Sequence, residues 1–232
     1  MSTLKKRALL YVLRDSVQIY FEGSPEVRAI DLPRSIVDNL EVIDPEKCII
    51  LLNSFIEQNK LSPHSILFVL SEKTYFEKLI PQNDRGVEKS HIQQFLDELP
   101  YKSNETLKKT LRMSDGTCYV VAATKQFIEL IAFVFAQHGW EIYALTPAFV
   151  LEKSSGIPLI MDKTNRLEPH LVQQLLLNRE IDKLGNIFVE DMAAHEKITP
   201  TASKSQNNLI LIGSAGILLL LLIIIVLLLK LR

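Results

Sequence analysis

The stretch Leu209–Leu229, LILIGSAGILLLLLIIIVLLL, carries no charge, and only Gly213, Ser214, Ala215 and Gly216 interrupt seventeen Leu, Ile and Val residues. At about 1.5 Å per residue it makes roughly 31 Å of helix, close to the hydrocarbon thickness of a bilayer. At about −0.3 to −0.6 kcal/mol per central aliphatic residue, insertion is favoured by roughly 5 to 10 kcal/mol. A buried core helix of this composition needs protein on every side, and only Lys230, Leu231 and Arg232 follow. The expectation is a single membrane-spanning helix, with Leu209 and Leu229 at its ends and membrane lipid as its surroundings. Gly213 and Gly216 lie within it near one end. They could let a partner helix approach closely, as small residues do in bilayers, or could simply loosen the helix near the interface, so oligomerisation stays open.

Everything before that stretch is ordered by it. Residues 1–190 are long enough and apolar enough for one α/β domain with a real core. Residues 191–208, including ITPTASKSQNN, have the composition of an exposed linker. Then come the helix at 209–229 and a tail at 230–232. Basic and acidic residues nearly cancel, 26 against 27, so no nucleic-acid footprint is present. The basic start MSTLKKR is followed by only a short apolar run before Arg14 and Asp15, too short for a secretory signal. The domain is therefore expected in the cytoplasm, held at the inner membrane as a single-pass protein. Cys48 and Cys118, far apart and in apolar surroundings, read as buried free thiols.

The chain opens with three β-rich runs, 4–13, 16–22 and 27–32, which predict a meander. Asp44-Pro45-Glu46 supplies a cap, a first-turn proline and an early acid for a helix to about Lys60, with Ile49, Leu52, Phe55 and Ile56 on one side. Ser65–Leu70, SILFVL, reads as a central strand covered on both faces. Thr74–Ile80 reads as a further strand, Gln82–Gly86 as a polar turn and 88–99 as an amphipathic helix. Pro100–Gly116 reads as a polar surface excursion with a short helix around Glu105–Met113. Thr117–Ala123 predicts a second buried strand, Lys125–His138 a helix closed by Gly139, Trp140–Leu145 another strand and Ala148–Lys153 a short helix. Ile157–Met161 fits an edge strand or a loop, and Glu168–Asn178 a helix. Together these predict a mixed β-sheet with helices packed on it.

Chemistry-bearing motifs are missing. His64, His91, His138, His170 and His195 are dispersed, with no partner at metal-ligand spacing. No Walker-type, dinucleotide-binding or nucleophile-elbow motif occurs. The neighbouring carboxylates Asp15 with Glu22 and Glu180 with Asp182 fall in turns or on solvent faces. The chain is therefore expected to hold no cofactor or metal and to have no catalytic residue.

Three segments resemble known proteins: LLYVLRDSVQIYFEG, ILLNSFIEQNKLSPHSILFVLSEKTYFEKLIP and TCYVVAATKQFIELIAFVFAQHGWEIYALTPAFVLEK. In strand and helix order they resemble the first half of an actin-like fold of RNase H type, over about residues 8–153. More specifically they look like PilM of type IV pilus assembly and the cytoplasmic domain of the type II secretion L protein. The resemblance implies a non-enzymatic scaffold whose partners are inner-membrane and cytoplasmic assembly proteins, met through sheet edges and the excursion at Pro100–Gly116. Nucleotide-binding members carry an acidic residue and a glycine in the first hairpin, where this chain has Arg14-Asp15-Ser16. The second half that would complete an ATP cleft is replaced by the apolar stretch, so ATPase activity is not expected. The alternatives are a membrane-tethered nucleotide-binding enzyme of the actin-like or RNase H-like superfamily and an unrelated tail-anchored adaptor.

Overall fold

The computed structural model describes residues 6–83, 86, 87, 89–102, 105–113, 116–184, 187 and 188. All of them belong to one compact unit, Met1–Met192. The predicted linker and membrane helix, with Leu209, Gly213, Gly216 and Leu229, lie outside the described residues. Among the described residues no helix is long and apolar enough to cross a membrane.

The meander forms as expected. β1 (Arg7–Val12), β2 (Ser16–Phe21) and β3 (Val27–Asp31) pair antiparallel in sequence order. A two-stranded hairpin follows, β4 (Val37–Asp38) and β5 (Glu41–Val42), turned by Asn39 and Leu40 at φ 50° and 68°. Helix α1 (Pro45–Gln58) starts where its cap predicts, the Asp44 carboxylate accepting the Lys47 N–H at 3.0 Å.

β6 (Ser65–Leu70) then pairs parallel to β1, and β12 (Glu141–Pro147) pairs parallel to β6. The main sheet therefore has the order β12-β6-β1-β2-β3. Alternation along its central strands divides the core. Ala8, Leu10, Ile66, Phe68 and Leu145 face α1 and the helix α3 (Lys125–Gln137). Leu9, Tyr11, Leu67, Val69 and Ala144 face the opposite layer, α4 (Ala148–Ser155) and α5 (Pro169–Leu177). With helices on both faces, β1 and β6 have no polar side to show, which is why SILFVL lacks alternation.

Between β6 and α3 the chain builds a second, smaller layer. β7 (Tyr75–Leu79) is followed by the hairpin β8 (Gln82–Asn83) and β9 (Gly86–Val87), by α2 (Lys89–Asp97), by β10 (Thr106–Arg112) and by β11 (Cys118–Thr124). β10, β11 and β7 form a separate antiparallel sheet in that order. This corrects two expectations. Within the segment 105–113, Thr106–Arg112 is a strand, not a short helix, because pairing with β11 from Thr106↔Thr124 to Arg112↔Cys118 supplies its backbone partners. The buried strand near Thr117 belongs to the small sheet, not to the mixed sheet. Its Val120 and Ala122 pack with Phe95 and Leu96 of α2, while Val121 and Ala123 join the main core.

The chain returns through α3, whose end is followed by Gly139 at φ 78°, a left-handed position that costs glycine little. A bulge between Ile142 and Ala144 in β12 frees Tyr143 from the ladder, and the Arg7 guanidinium lies over its ring at 5.1 Å. Segment 157–161 forms no strand beyond a single bridge, Met161 with Leu167. A 3-10 turn, Arg179–Lys183, follows α5 and is clasped to β1 by the Arg7–Asp182 ion pair at 2.5 Å.

Candidate functional site

Two concavities bring together polar groups from several elements of the fold. The larger, a cleft of about 660 Å³, lies where the inserted layer meets the main core. One wall is Pro100, Tyr101 and Glu105, from the predicted surface excursion. The β4–β5 turn gives Asn39 and Glu41, and the start of α3 gives Thr124, Lys125, Gln126 and Glu129. The Tyr101 hydroxyl donates to the Asn39 carbonyl at 2.9 Å and so ties the insert to the hairpin.

Thr124 holds the N-cap position of α3, yet its side chain caps no N–H. Its Oγ1 is buried without a partner among the described residues. A buried hydroxyl left this way costs about 1–3 kcal/mol, so it is a place where an incoming acceptor or donor is rewarded. The first N–H groups of a helix also lack partners within it, and here they stand beside the cleft. Lys125 and Glu129, a turn apart at 4.0 Å, set opposite charges along the same wall.

The smaller concavity runs along the carboxyl ends of β1 and β6, the end of an open α/β sheet at which ligands generally bind. It consists of two adjoining pockets of about 240 and 190 Å³, which share Leu13, Lys73 and Asn165. The first is edged by Arg14, Arg34 and Lys73, with Asp15 and Asp38 among them. The second is edged by Tyr11, Ser71, Glu72 and Glu152 over an apolar floor of Leu159 and Met161.

The structure separates Asp15 from Glu22, while Glu180 and Asp182 share one 3-10 turn. Asp15 sits in the β1–β2 turn and Glu22 at the far end of β2, roughly 20 Å away at about 3.3 Å per residue. Glu22 accepts the Arg7 N–H, Glu180 pairs with Lys183, and Asp182 pairs with Arg7, so three of the four have structural duties. His64 lies edge-on to Phe21 and tilted against Trp140, His138 meets Asn53 at 2.9 Å, and His170 lies beside Glu168 at 3.4 Å. Among the described residues no three metal-ligating side chains converge. Cys48 and Cys118 are free and buried, and burial pushes the Cys48 thiol up to about 11, which leaves it inert as a nucleophile.

Thr124, Tyr101 and Asn39 carry the large cleft, and none stands out in the sequence. The nearest signals are a threonine directly before a helical stripe and an asparagine in a short turn.

No protein-family profile matches the chain, and no curated protein matches it in sequence. Among solved structures it is similar to a PilM–PilN type IV pilus biogenesis complex, at 12% identity and a TM-score of 0.41, over 64% of this chain and 49% of that one. It is similar to the cytoplasmic domain of EpsL, an inner-membrane component of the type II secretion system of Vibrio cholerae, at 12% identity and a TM-score of 0.41, over 63% and 58%. A Bacteroides thetaiotaomicron protein with an actin-like ATPase fold is similar at 8% identity and a TM-score of 0.37, over 68% and 58%. The chain therefore spans about half to three fifths of the structures it is similar to.

Proposed function

We infer that the protein is a non-enzymatic scaffold of a type IV pilus or type II secretion-like assembly. Its α/β domain lies in the cytoplasm and its C-terminal apolar stretch anchors it in the inner membrane. The observation that carries the reading is the cleft between insert and core. It combines an unsatisfied buried hydroxyl, a helix start and the Tyr101 ring, and no three metal-ligating side chains converge among the described residues. Such a surface binds an extended segment of another protein through backbone and side-chain hydrogen bonds. The quoted sequence segments, with the meander-first order of elements, support the choice of assembly.

The test is co-purification of the full-length chain from detergent-solubilised membranes. Recovery of identified pilus or secretion platform proteins, reduced at least tenfold by Tyr101→Ala with Lys125→Glu, is the expected result. Recovery of the same set with the double variant would remove the cleft from the reading. Absence of platform proteins would remove the assembly role.

One observation favours a second reading, a nucleotide-binding enzyme. Arg14, Arg34 and Lys73 gather around the β1–β2 turn without a salt bridge among the described residues. Millimolar ATP binding lost on Arg14→Ala or Asp15→Ala would support it, and no binding at that concentration would end it.

A further inference from the structure

The second of the two small pockets differs in character from its neighbour. Glu72 makes no hydrogen bond or salt bridge among the described residues. Glu152 accepts only the Leu159 N–H, at 2.6 Å, through one oxygen. Ser71 is 5% exposed and lines the same pocket, and its Oγ has no partner among the described residues. Tyr11, 4% exposed, also lines it, and its hydroxyl makes no hydrogen bond among the described residues. Two carboxylates, the buried Ser71 hydroxyl and the Tyr11 hydroxyl thus line one pocket with acceptor capacity to spare, beside the apolar side chains of Leu159 and Met161.

Unsatisfied buried hydroxyls are rare in native proteins, because each costs free energy until it is paired. Glu72, exposed, and Glu152, half-buried, make the field in the pocket negative. The Tyr11 hydroxyl is held far above its ordinary range, by burial first and then by Glu72 and Glu152. Lys73 lines the rim but makes no salt bridge with either acid among the described residues. The α4 N-terminus, represented by Ala148, adds a weak positive end, which Glu152 offsets one turn further along.

We propose that this pocket, between the ends of β1 and β6 and helix α4, binds an alkylammonium group. The apolar floor receives the alkyl chain, and Glu72, Glu152, Ser71 and Tyr11 receive the N–H donors. A pocket of about 190 Å³ matches a group the size of a lysine side chain. Such a group comes either from a lysine of a protein partner or from a small free diamine. Lys73 competes with it for the acidic wall, so the site is gated by a cation of the chain itself. The neighbouring basic pocket attracts anions through the same lysine, which makes the two pockets respond oppositely to its removal.

The test is a ligand-observed NMR titration of the full-length chain in detergent with N-acetyl-lysine amide, with cadaverine and with pentanoate. The expected result is saturable binding of both amines and none of pentanoate. Glu152→Gln and Glu72→Gln each weaken amine binding about tenfold, the scale of a lost charge-assisted hydrogen bond. Lys73→Met tightens it several-fold. Comparable affinity of the two amines assigns the site to a protein lysine, and a tenfold preference for cadaverine assigns it to a free diamine. No binding of either amine at 10 mM overturns the proposal. So does binding indifferent to both glutamine variants, or weakening by Lys73→Met. Glutamine preserves the acceptor for the Leu159 N–H, and Lys73 is exposed, so a circular dichroism spectrum identical to that of the parent chain accompanies each reading.

Discussion

β6 and β11 are both unbroken apolar strands, and they are buried in different ways. β6 lies between two parallel neighbours in a five-stranded sheet, with helices on each face. β11 lies between two antiparallel neighbours in a three-stranded sheet, with α2 on one face and the main core on the other. The first sheet has its own two hydrophobic layers. The second has one small layer of its own and borrows the other. An apolar run therefore reports that both faces of a strand are covered, and says nothing about what covers them. Stability should follow ownership, the main sheet setting global unfolding and the insert opening at lower cost.

Phe68→Ala in β6 removes a fully buried ring facing α1 and α3 and is expected to cost about 3–5 kcal/mol in chemical denaturation of the full chain. Phe95→Ala in α2 lies in the small layer, which can collapse more easily, and should cost about 2–3 kcal/mol. Its sharper signature is hydrogen exchange: amides of β7, β10 and β11 should exchange at least about tenfold faster while those of β1 and β6 hold their rates. Equal acceleration in both sheets would show that they open as one unit and break the comparison.

Asp182→Ala leaves the buried Arg7 guanidinium without its carboxylate. Because Asp182 is 40% exposed, water replaces part of the loss, and about 1–2 kcal/mol is expected. The smallest effect is at the cap of α1. The Lys47 ammonium and backbone N–H both bond the Asp44 carboxylate and hold its carboxyl below the usual range. A carboxyl depressed in the folded state stabilises above its unfolded pKa, about 3.9, and ceases to do so as pH falls through the folded value. Asp44→Ala should therefore lower the melting temperature slightly at pH 7 and leave it unchanged at pH 2. An equal loss at both pH values would trace the effect to helix propensity instead.

Much of the main sheet was legible because its signals are local. β-rich runs and turn residues mark the meander, Asp44-Pro45 marks α1, and Gly139 follows α3 at the left-handed position that a helix end favours. The insert was legible only in part. TLKKTLR between polar residues gives a strand with one polar face and a free edge no stronger signature than a short helix, and its partner β11 decides the matter. The sites were least legible. Thr124, Ser71 and Tyr101 are ordinary residues whose importance comes from atoms left without partners, or from bonds between segments tens of residues apart. No spacing rule encodes an unsatisfied hydroxyl.

One outer strand of the main sheet, β3, bears on how such a protein survives at high local concentration. Among the described residues β3 pairs only with β2, so one row of its backbone groups has no strand partner there, the usual template for aggregation between copies. That row is five residues long and is bracketed by Pro25 and Pro33, neither of which can donate to a growing ladder. Arg28 and Asp31 place charge on opposite faces of the same short strand. Fibril-like growth from this edge is thereby checked by sequence.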